Sequence, residues 1–285
     1  MTLSDCCILN SGGGAWAFEP LARQLSDALW VEVSEIPRAH NYLLLADDSA
    51  VSQCNSFVPI AAMGMASDKR LLASAFADHG VPTPRTFLFD SLEEAERLLA
   101  DSPGRQWCVK YPTGCGASGH RMLTANMTLP DGWPMPLVVQ EFIRLERPEV
   151  YRLYGAAGRL FGWVARRFPS GVRPSPWVAH ARGARYEAAG EPPAEAVNAA
   201  RKALEASGLL DSFGCVDLLV TSAGRWVVLE VGTDGIFNHV DRDLGLPAIE
   251  RLIQEQIAEA FWSRVGVWRP WGTTPWRPRS AGDHH

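Results

Sequence analysis

Lys110 closes the apolar run Trp107-Cys-Val-Lys and stands three residues before a glycine-rich stretch, Thr113-Gly-Cys-Gly-Ala-Ser-Gly. A strand that delivers an ammonium beside such a loop offers a charge and backbone N–H donors together, which suits a phosphate. Gly114, Gly116 and Gly119 let the backbone approach a ligand, while Thr113 and Ser118 add hydroxyls. A glycine-rich turn between two strands is the plain alternative. Asp217 and Glu230 stand on two further apolar runs, Ser212–Val220 and Arg225–Val231. A charge on such a run is costly unless it is paired or metal-bound. Two carboxylates facing one point near phosphates make a magnesium site; two exposed strand carboxylates are the alternative. Glu141, in Val138-Val-Gln-Glu-Phe-Ile, either faces solvent or lines a cleft beside an adenine. Lys69 starts a helix and, taken alone, reads as a surface lysine. Cys115 reads as a small residue fitted into the loop and not as a nucleophile.

The elements that would position these groups follow from pattern and punctuation. Residues 6–13 read as a short buried strand ending in glycines, followed by a helix from Trp16 to Leu29 and strands at Leu29–Val33 and Tyr42–Ala46. Strand, helix and strand at this spacing predict a small parallel α/β unit. Gly12-Gly13-Gly14 lacks the spacing of a phosphate loop and reads as a turn before a helix. Ser67 or Asp68 caps a helix over Arg70–Asp78, Gly80 ends it, and Val81-Pro-Thr-Pro forces an extended exit. A strand at Thr86–Phe89, a Ser91-capped helix over Leu92–Leu99, and strands at Trp107–Tyr111 and Val138–Ile143 follow. Residues 150–156 and 159–168 form an antiparallel pair turning at Ala157-Gly158. A helix over 193–207, a hairpin over 212–231 and a helix over 247–262 complete the reading. From Gly266 the chain is rich in Trp, Pro and Arg without a period; it either docks on the body or is a loose terminus. His284-His285 reads as the remnant of a tag.

Composition narrows the classes. With 47% hydrophobic and 21% charged residues over 285 positions, the chain can build a packed core of one large or two to three small domains. A net charge of -5 makes a nucleic-acid surface no default. No apolar run approaches the roughly 20 residues of a membrane helix. The six cysteines, at 6, 7, 54, 108, 115 and 215, form no CxxC pair. With no signal-peptide pattern at the N-terminus, they point to a reducing cytoplasm.

Taken in order, these features resemble the ATP-grasp superfamily of ATP-dependent ligases over residues 5 to 262. Lys69 in SDKRLLASAFADHGVPTPRTFLF and Lys110 in WCVKYPTGCGASG match the family's two phosphate-binding lysines. Val139-Gln140-Glu141-Phe142-Ile143 is similar to its adenine hinge, and YRLYGAAGRLFGWVARR to its arginine-bearing hairpin. Arg152 matches an arginine position there, and Arg166-Arg167 an often basic strand end. Asp217 and Glu230 match the Asp…Glu-x-Asn metal pattern. The asparagine falls on Gly232, so Asp234 or Asn238 stands in for it or one magnesium is held less tightly. The basic run of Arg173, His180, Arg182 and Arg185 either binds an anionic substrate or is a solvated loop.

The resemblance implies an α/β (α+β) architecture: a small parallel α/β domain at 1–66, then ATP-grasp subdomains at 67–136 and 137–265 that hold the nucleotide between them, and an irregular tail at 266–285. It implies ATP and Mg2+ as cofactors. The phosphates would lie on Lys69, Lys110, Gly114, Gly116, Ser118 and Gly119, the adenine on Gln140, Glu141 and Ile143, and the metal on Asp217, Glu230 and Asn238. Arg152 and Arg167 would neutralise the transferring phosphoryl group or clamp a substrate carboxylate. The implied reaction joins a small-molecule carboxylate to an amine, an amino acid or peptide among the candidates, without nucleic acid or membrane partners; a homodimer is the assembly the family suggests. A phosphotransferase and a non-catalytic nucleotide-binding protein are the competing classes.

Overall fold

The computed structural model describes residues 3–45, 54–114, 116–233, 239–245 and 248–266. Five consecutive buried residues, Cys6–Asn10, form β1, the middle strand of a parallel sheet in the order β2-β1-β3, with β2 at Glu32–Ser34 and β3 at His40–Leu45. Unbroken burial is the mark of a strand covered on both faces. α1 (Ala15–Leu29) makes the crossover and buries Leu21, Leu25 and Leu29, one stripe at i, i+4, i+8. The strand expected from Leu29 starts later, because Leu29 ends the helix and Trp30 takes a left-handed φ of 60°.

An element absent from the sequence reading, α2 (Ile60–Ser67), leads to α3 (Lys69–Asp78). Asp68 caps α3, its carboxylate accepting the Arg70 backbone N–H at 2.8 Å. The second sheet is antiparallel, in the order β4-β7-β5-β6: β4 Thr86–Phe89, β5 Trp107–Lys110, β6 Arg121–Met122 and β7 Leu137–Glu141. α4 (Leu92–Asp101), capped by Ser91, closes a small core with Trp107, Val109, Leu137 and Val139. β7 is an inner strand of this sheet, paired with both β4 and β5, so the chain leaves the sheet only after Glu141.

The third sheet is antiparallel, in the order β10-β9-β8-β11-β12. Its strands are β8 Glu149–Ala156, β9 Arg159–Arg167, β10 Arg185–Ala188, β11 Phe213–Val220 and β12 Trp226–Gly232. Gly155 and Gly214 are register partners on β8 and β11. Together they open a hollow for Leu204 of α5 (Ala194–Ala206), whose methyls lie 2.6 and 2.7 Å from where a Cβ on either glycine would sit. β8 and β9 slip by one residue between Arg152 and Tyr154. Gly162 stands at the slip with φ +70°, a conformation that favours a bulge. After α6 (His239–Leu244), α7 (Ala248–Val265) packs on α1, β8 and β9, joining the first and third sheets in one core that includes Ile8, Leu25, Leu153, Val216, Ile257 and Phe261. No helix among the described residues is long and apolar enough to cross a membrane. The tail beyond Gly266 lies outside the described residues.

The Leu204 hollow can be tested directly. Gly214→Ala overpacks it and should cost about 1–3 kcal/mol. Leu204→Ala empties it and should cost about 2–5 kcal/mol. Urea midpoints at unchanged slope measure both, and a neutral Gly214→Ala would contradict the packing described.

Candidate active site

A cavity of 830 Å³ lies between the second and third sheets. From the second sheet come Lys110, Gln140 and Glu141, with Ile143 just beyond it; from the third, Arg152, Arg166, Asp217 and Glu230. Gly116 and Ala117 of the glycine loop reach its wall. Most residues singled out in the sequence therefore meet at one place, although they are drawn from six strands and a loop.

Lys69 and Lys110 converge on the glycine loop. The Lys69 ammonium donates to the Gly114 carbonyl at 2.5 Å, and its backbone N–H to the Pro112 carbonyl at 3.0 Å. The loop folds tightly: at Gly119, φ is +72° and a Cβ would lie 2.7 Å from the Tyr111 Cβ. Lys110 ends β5 in the cavity and donates to no group among the described residues. Burial holds its ammonium below the ordinary lysine value, and Lys69 adds to that push while Glu230 opposes it. His120, at the loop's end, went unnoticed in the sequence. Both its ring nitrogens are buried without a partner. Burial, then Lys110, Lys69 and Arg182, push its imidazole down to about 3, so it is neutral at physiological pH. Trp177 packs between His120 and Phe142, with ring centres 5.3 and 5.2 Å apart, and joins glycine loop to hinge. Two lysines that converge on one glycine loop are the electrostatic complement of a phosphate chain.

The hinge residues line the cavity, but with partners of their own. Gln140 donates to the Thr86 hydroxyl at 3.0 Å, and the Glu141 carboxylate accepts from Arg105 at 2.8 Å. Ile143 offers apolar wall.

On the third sheet, Arg152, Asp217 and Glu230 are direct cross-strand partners on β8, β11 and β12. Asp217 is 2% exposed. Its Oδ1 accepts from Arg152 Nε at 2.7 Å, and its Oδ2 from Arg152 Nη2 at 3.1 Å and from Arg166 Nη2. Burial alone would raise its pKa; the two guanidiniums overcome that and hold the carboxyl below the usual carboxylate range. Glu230 lines the cavity, and its carboxylate accepts no hydrogen bond from the described residues.

Of the two adjacent arginines, Arg166 and not Arg167 lines the cavity. A hairpin without the slip at Gly162 would put Arg167 on the face of Arg152. The bulge reverses the alternation, so Val150 and Arg166 are paired on that face and Arg167 turns away. There Arg167 is bound by Glu149 at 2.7 Å, Glu187 at 3.1 Å and the Tyr151 hydroxyl at 3.1 Å. A glycine inside an apolar strand pattern, Leu160-Phe-Gly-Trp, was the signal that could have found this.

The polar stretch after β12 is used structurally where it is described. Asp241 accepts the Ile249 and Glu250 backbone N–H groups, at 2.9 and 3.0 Å, at the start of α7. Asp243 accepts the Tyr186 N–H at 3.0 Å and pairs with His180 at 3.3 Å. The basic run is thereby divided: His180 lines the cavity, while Arg173, Arg182 and Arg185 are exposed. Cys115, Asp234 and Asn238 lie outside the described residues.

Removing Asp217 would leave two buried guanidiniums unpaired, so Asp217→Ala should cost roughly 3–5 kcal/mol at neutral pH. The depressed carboxyl contributes stability that is complete above the unfolded value near 4 and is lost as pH falls through the folded value. The gap between wild type and variant in denaturant melts should therefore hold from about pH 7 to pH 5 and shrink below about pH 4. A gap that persists at lower pH would contradict the ion triad.

A sequence model of the ATP-grasp domain matches residues 66–233, from the end of α2 to the end of β12. No curated protein matches the chain. Among solved structures, the ATP-grasp ligase PsnB complexed with a minimal precursor superposes with a TM-score of 0.64 at 14% identity, over 90% of this chain and 99% of that one. The D-cycloserine synthetase DcsG gives 0.62 at 18%, over 91% and 99%. The D-alanine–D-alanine ligase of Bacillus anthracis gives 0.58 at 15%, over 92% and 98%. At such identities the likeness is one of fold. The match in sequence spans more than half of the residues, from the helix that carries Lys69 to the strand that carries Glu230, and the chain belongs to the ATP-grasp family.

Proposed function

We propose that the protein is an ATP-dependent ligase that activates a carboxylate as an acylphosphate and joins it to an amine, releasing ADP and phosphate. The observation that carries this reading is Lys110, an ammonium set in a cavity beside a glycine loop with no anion bonded to it. The fold neighbours support it. PsnB, DcsG and the Bacillus anthracis enzyme are named as ligases or a synthetase, and PsnB has been solved with Mg and ADP.

In this reading Lys69, Lys110 and the backbone of Gly114, Gly116 and Gly119, with the Ser118 hydroxyl, hold the phosphates. The hinge of Gln140, Glu141 and Ile143 borders the adenine. A substrate carboxylate oxygen attacks the γ-phosphorus, and the bond to the β,γ-bridging oxygen breaks as ADP leaves. An amine nitrogen then attacks the acyl carbon, loses a proton and expels phosphate. Phosphoryl transfer of this kind depends on positioning and charge neutralisation, so no nucleophilic side chain is required. Arg152 and Arg166 are placed to meet the charge on the transferring group or the substrate carboxylate.

Magnesium would supply further charge neutralisation at the phosphates. Glu230 offers an open carboxylate, Gly232 offers no side chain, and both oxygens of Asp217 are engaged by arginine. This fits a cation held by one carboxylate together with substrate phosphates. No group of three or more His, Cys, Asp or Glu that could hold a metal occurs among the described residues. The acid and amine are drawn from small molecules, amino acids or peptides; the precursor bound to PsnB is of the last kind. Five free thiols among the described cysteines suit a cytoplasmic setting.

Thermal unfolding with MgATP or MgADP tests the nucleotide site. Ligand at about 100 times its dissociation constant stabilises by roughly 2.7 kcal/mol, a shift of about 5 °C or more for a chain of this size. Wild type should show it and Lys110→Ala should lose most of it. Equal shifts in both would remove Lys110 from the site. ADP and free phosphate that appear only with both acid and amine present would distinguish ligation from phosphotransfer.

A further inference from the structure

We infer that Asp217 is a positioning residue that fixes Arg152 and Arg166 over the cavity, and that the divalent cation is held by Glu230 without it. The inference rests on the ligase reading and departs from the expectation that Asp217 and Glu230 share a metal.

Three observations carry it. First, the triad is built into the sheet. The β8–β11 register sets Arg152 directly opposite Asp217, and the bulge at Gly162 brings Arg166 to the same carboxylate. The contact with Arg152 is bidentate, the geometry in which guanidinium and carboxylate match best. Second, a metal on Asp217 would have to displace these bonds, add positive charge beside two guanidiniums, and strip them of their buried counter-ion. Third, Glu230 has no such commitment: its carboxylate lines the same cavity as Lys110 and accepts no hydrogen bond from the described residues. Two residues further on, Gly232 brings no ligand to a second cation.

The consequence is a division of labour. Glu230 tethers the cation that accompanies the nucleotide. The two arginines, locked by Asp217, supply fixed positive charge where further metal would otherwise be needed. Arg166 retains a buried Nε with no partner, a donor left for an incoming oxygen.

Electron paramagnetic resonance of Mn2+, used in place of Mg2+ on protein loaded with ADP, separates the two roles. Wild type should bind one tight Mn2+ per chain. Glu230→Gln should weaken Mn2+ by about tenfold or more, and Asp217→Asn by less than about twofold. Asp217→Asn should instead weaken ADP with aluminium fluoride, a mimic of the transferring phosphoryl group, by about a hundredfold while ADP alone binds as in wild type. A merely structural role would lower both nucleotide affinities together. Mn2+ lost equally in both variants, or two tight ions in wild type, would overturn the assignment; the wild-type count decides the matter if Asp217→Asn does not fold. A wild type that binds no ADP would overturn the ligase reading as well, an outcome distinct from intact ADP binding with Asp217-dependent Mn2+.

Discussion

A single carboxylate, Asp217 on β11, is bonded to two guanidiniums from β8 and β9, and the rest of the site is arranged around that fact. A buried aspartate is unfavourable alone, as is a buried arginine; together they are compatible with a nearly dry sheet face. Because β8, β9 and β11 must be in register for the triad to form, the same constraint that satisfies these charges also aligns the strands. It then places fixed positive charge on one wall of the cavity and Lys110 on the other. Lys110 on one wall and the two guanidiniums on the other are the cations that a polyphosphate would meet.

The opposite wall is prepared in a different way. There the second sheet presents its lysine from a strand end, and the glycine loop is tied back by Lys69 through the Gly114 carbonyl. His120 and Trp177 bind the loop to the hinge by packing, and His120 stays neutral because three cations and its own burial oppose a further charge. One wall therefore carries charge that cannot move, and the other a backbone loop shaped by a side chain that reaches across from α3. A nucleotide is the kind of ligand that would engage both.

Much of this was legible in the sequence, because local chemistry announces itself. An apolar run ending in lysine before glycines, Asp68 capping the helix that Lys69 begins, and Ser91 capping the next are short-range signals, and the structure honours each. What could not be read depended on pairing. Arg166 and Arg167 are adjacent and chemically alike; which one enters the cavity is decided by the slip at Gly162, a property of two strands together. Glu141 and Asp217 were recognised as strand carboxylates, but Arg105 and Arg152, their partners, lie 36 and 65 residues away. β7 reads as a strand in the sequence, but that β4 and β5 flank it does not, since sequence order says little about which strands an inner strand lies between. α2 escaped because its apolar residues have no helical stripe to show.

The central claim is that a nucleotide lies between the second and third sheets with its phosphates on the lysine and glycine wall. A crystal structure of the protein with a nonhydrolysable ATP analogue and Mg2+ tests it most directly. The account predicts phosphates against Lys110 and residues 113–119, the base at Gln140–Ile143, and Arg152 and Arg166 still joined to Asp217. Nucleotide bound elsewhere, or phosphates that leave Lys110 without an anion, would contradict it.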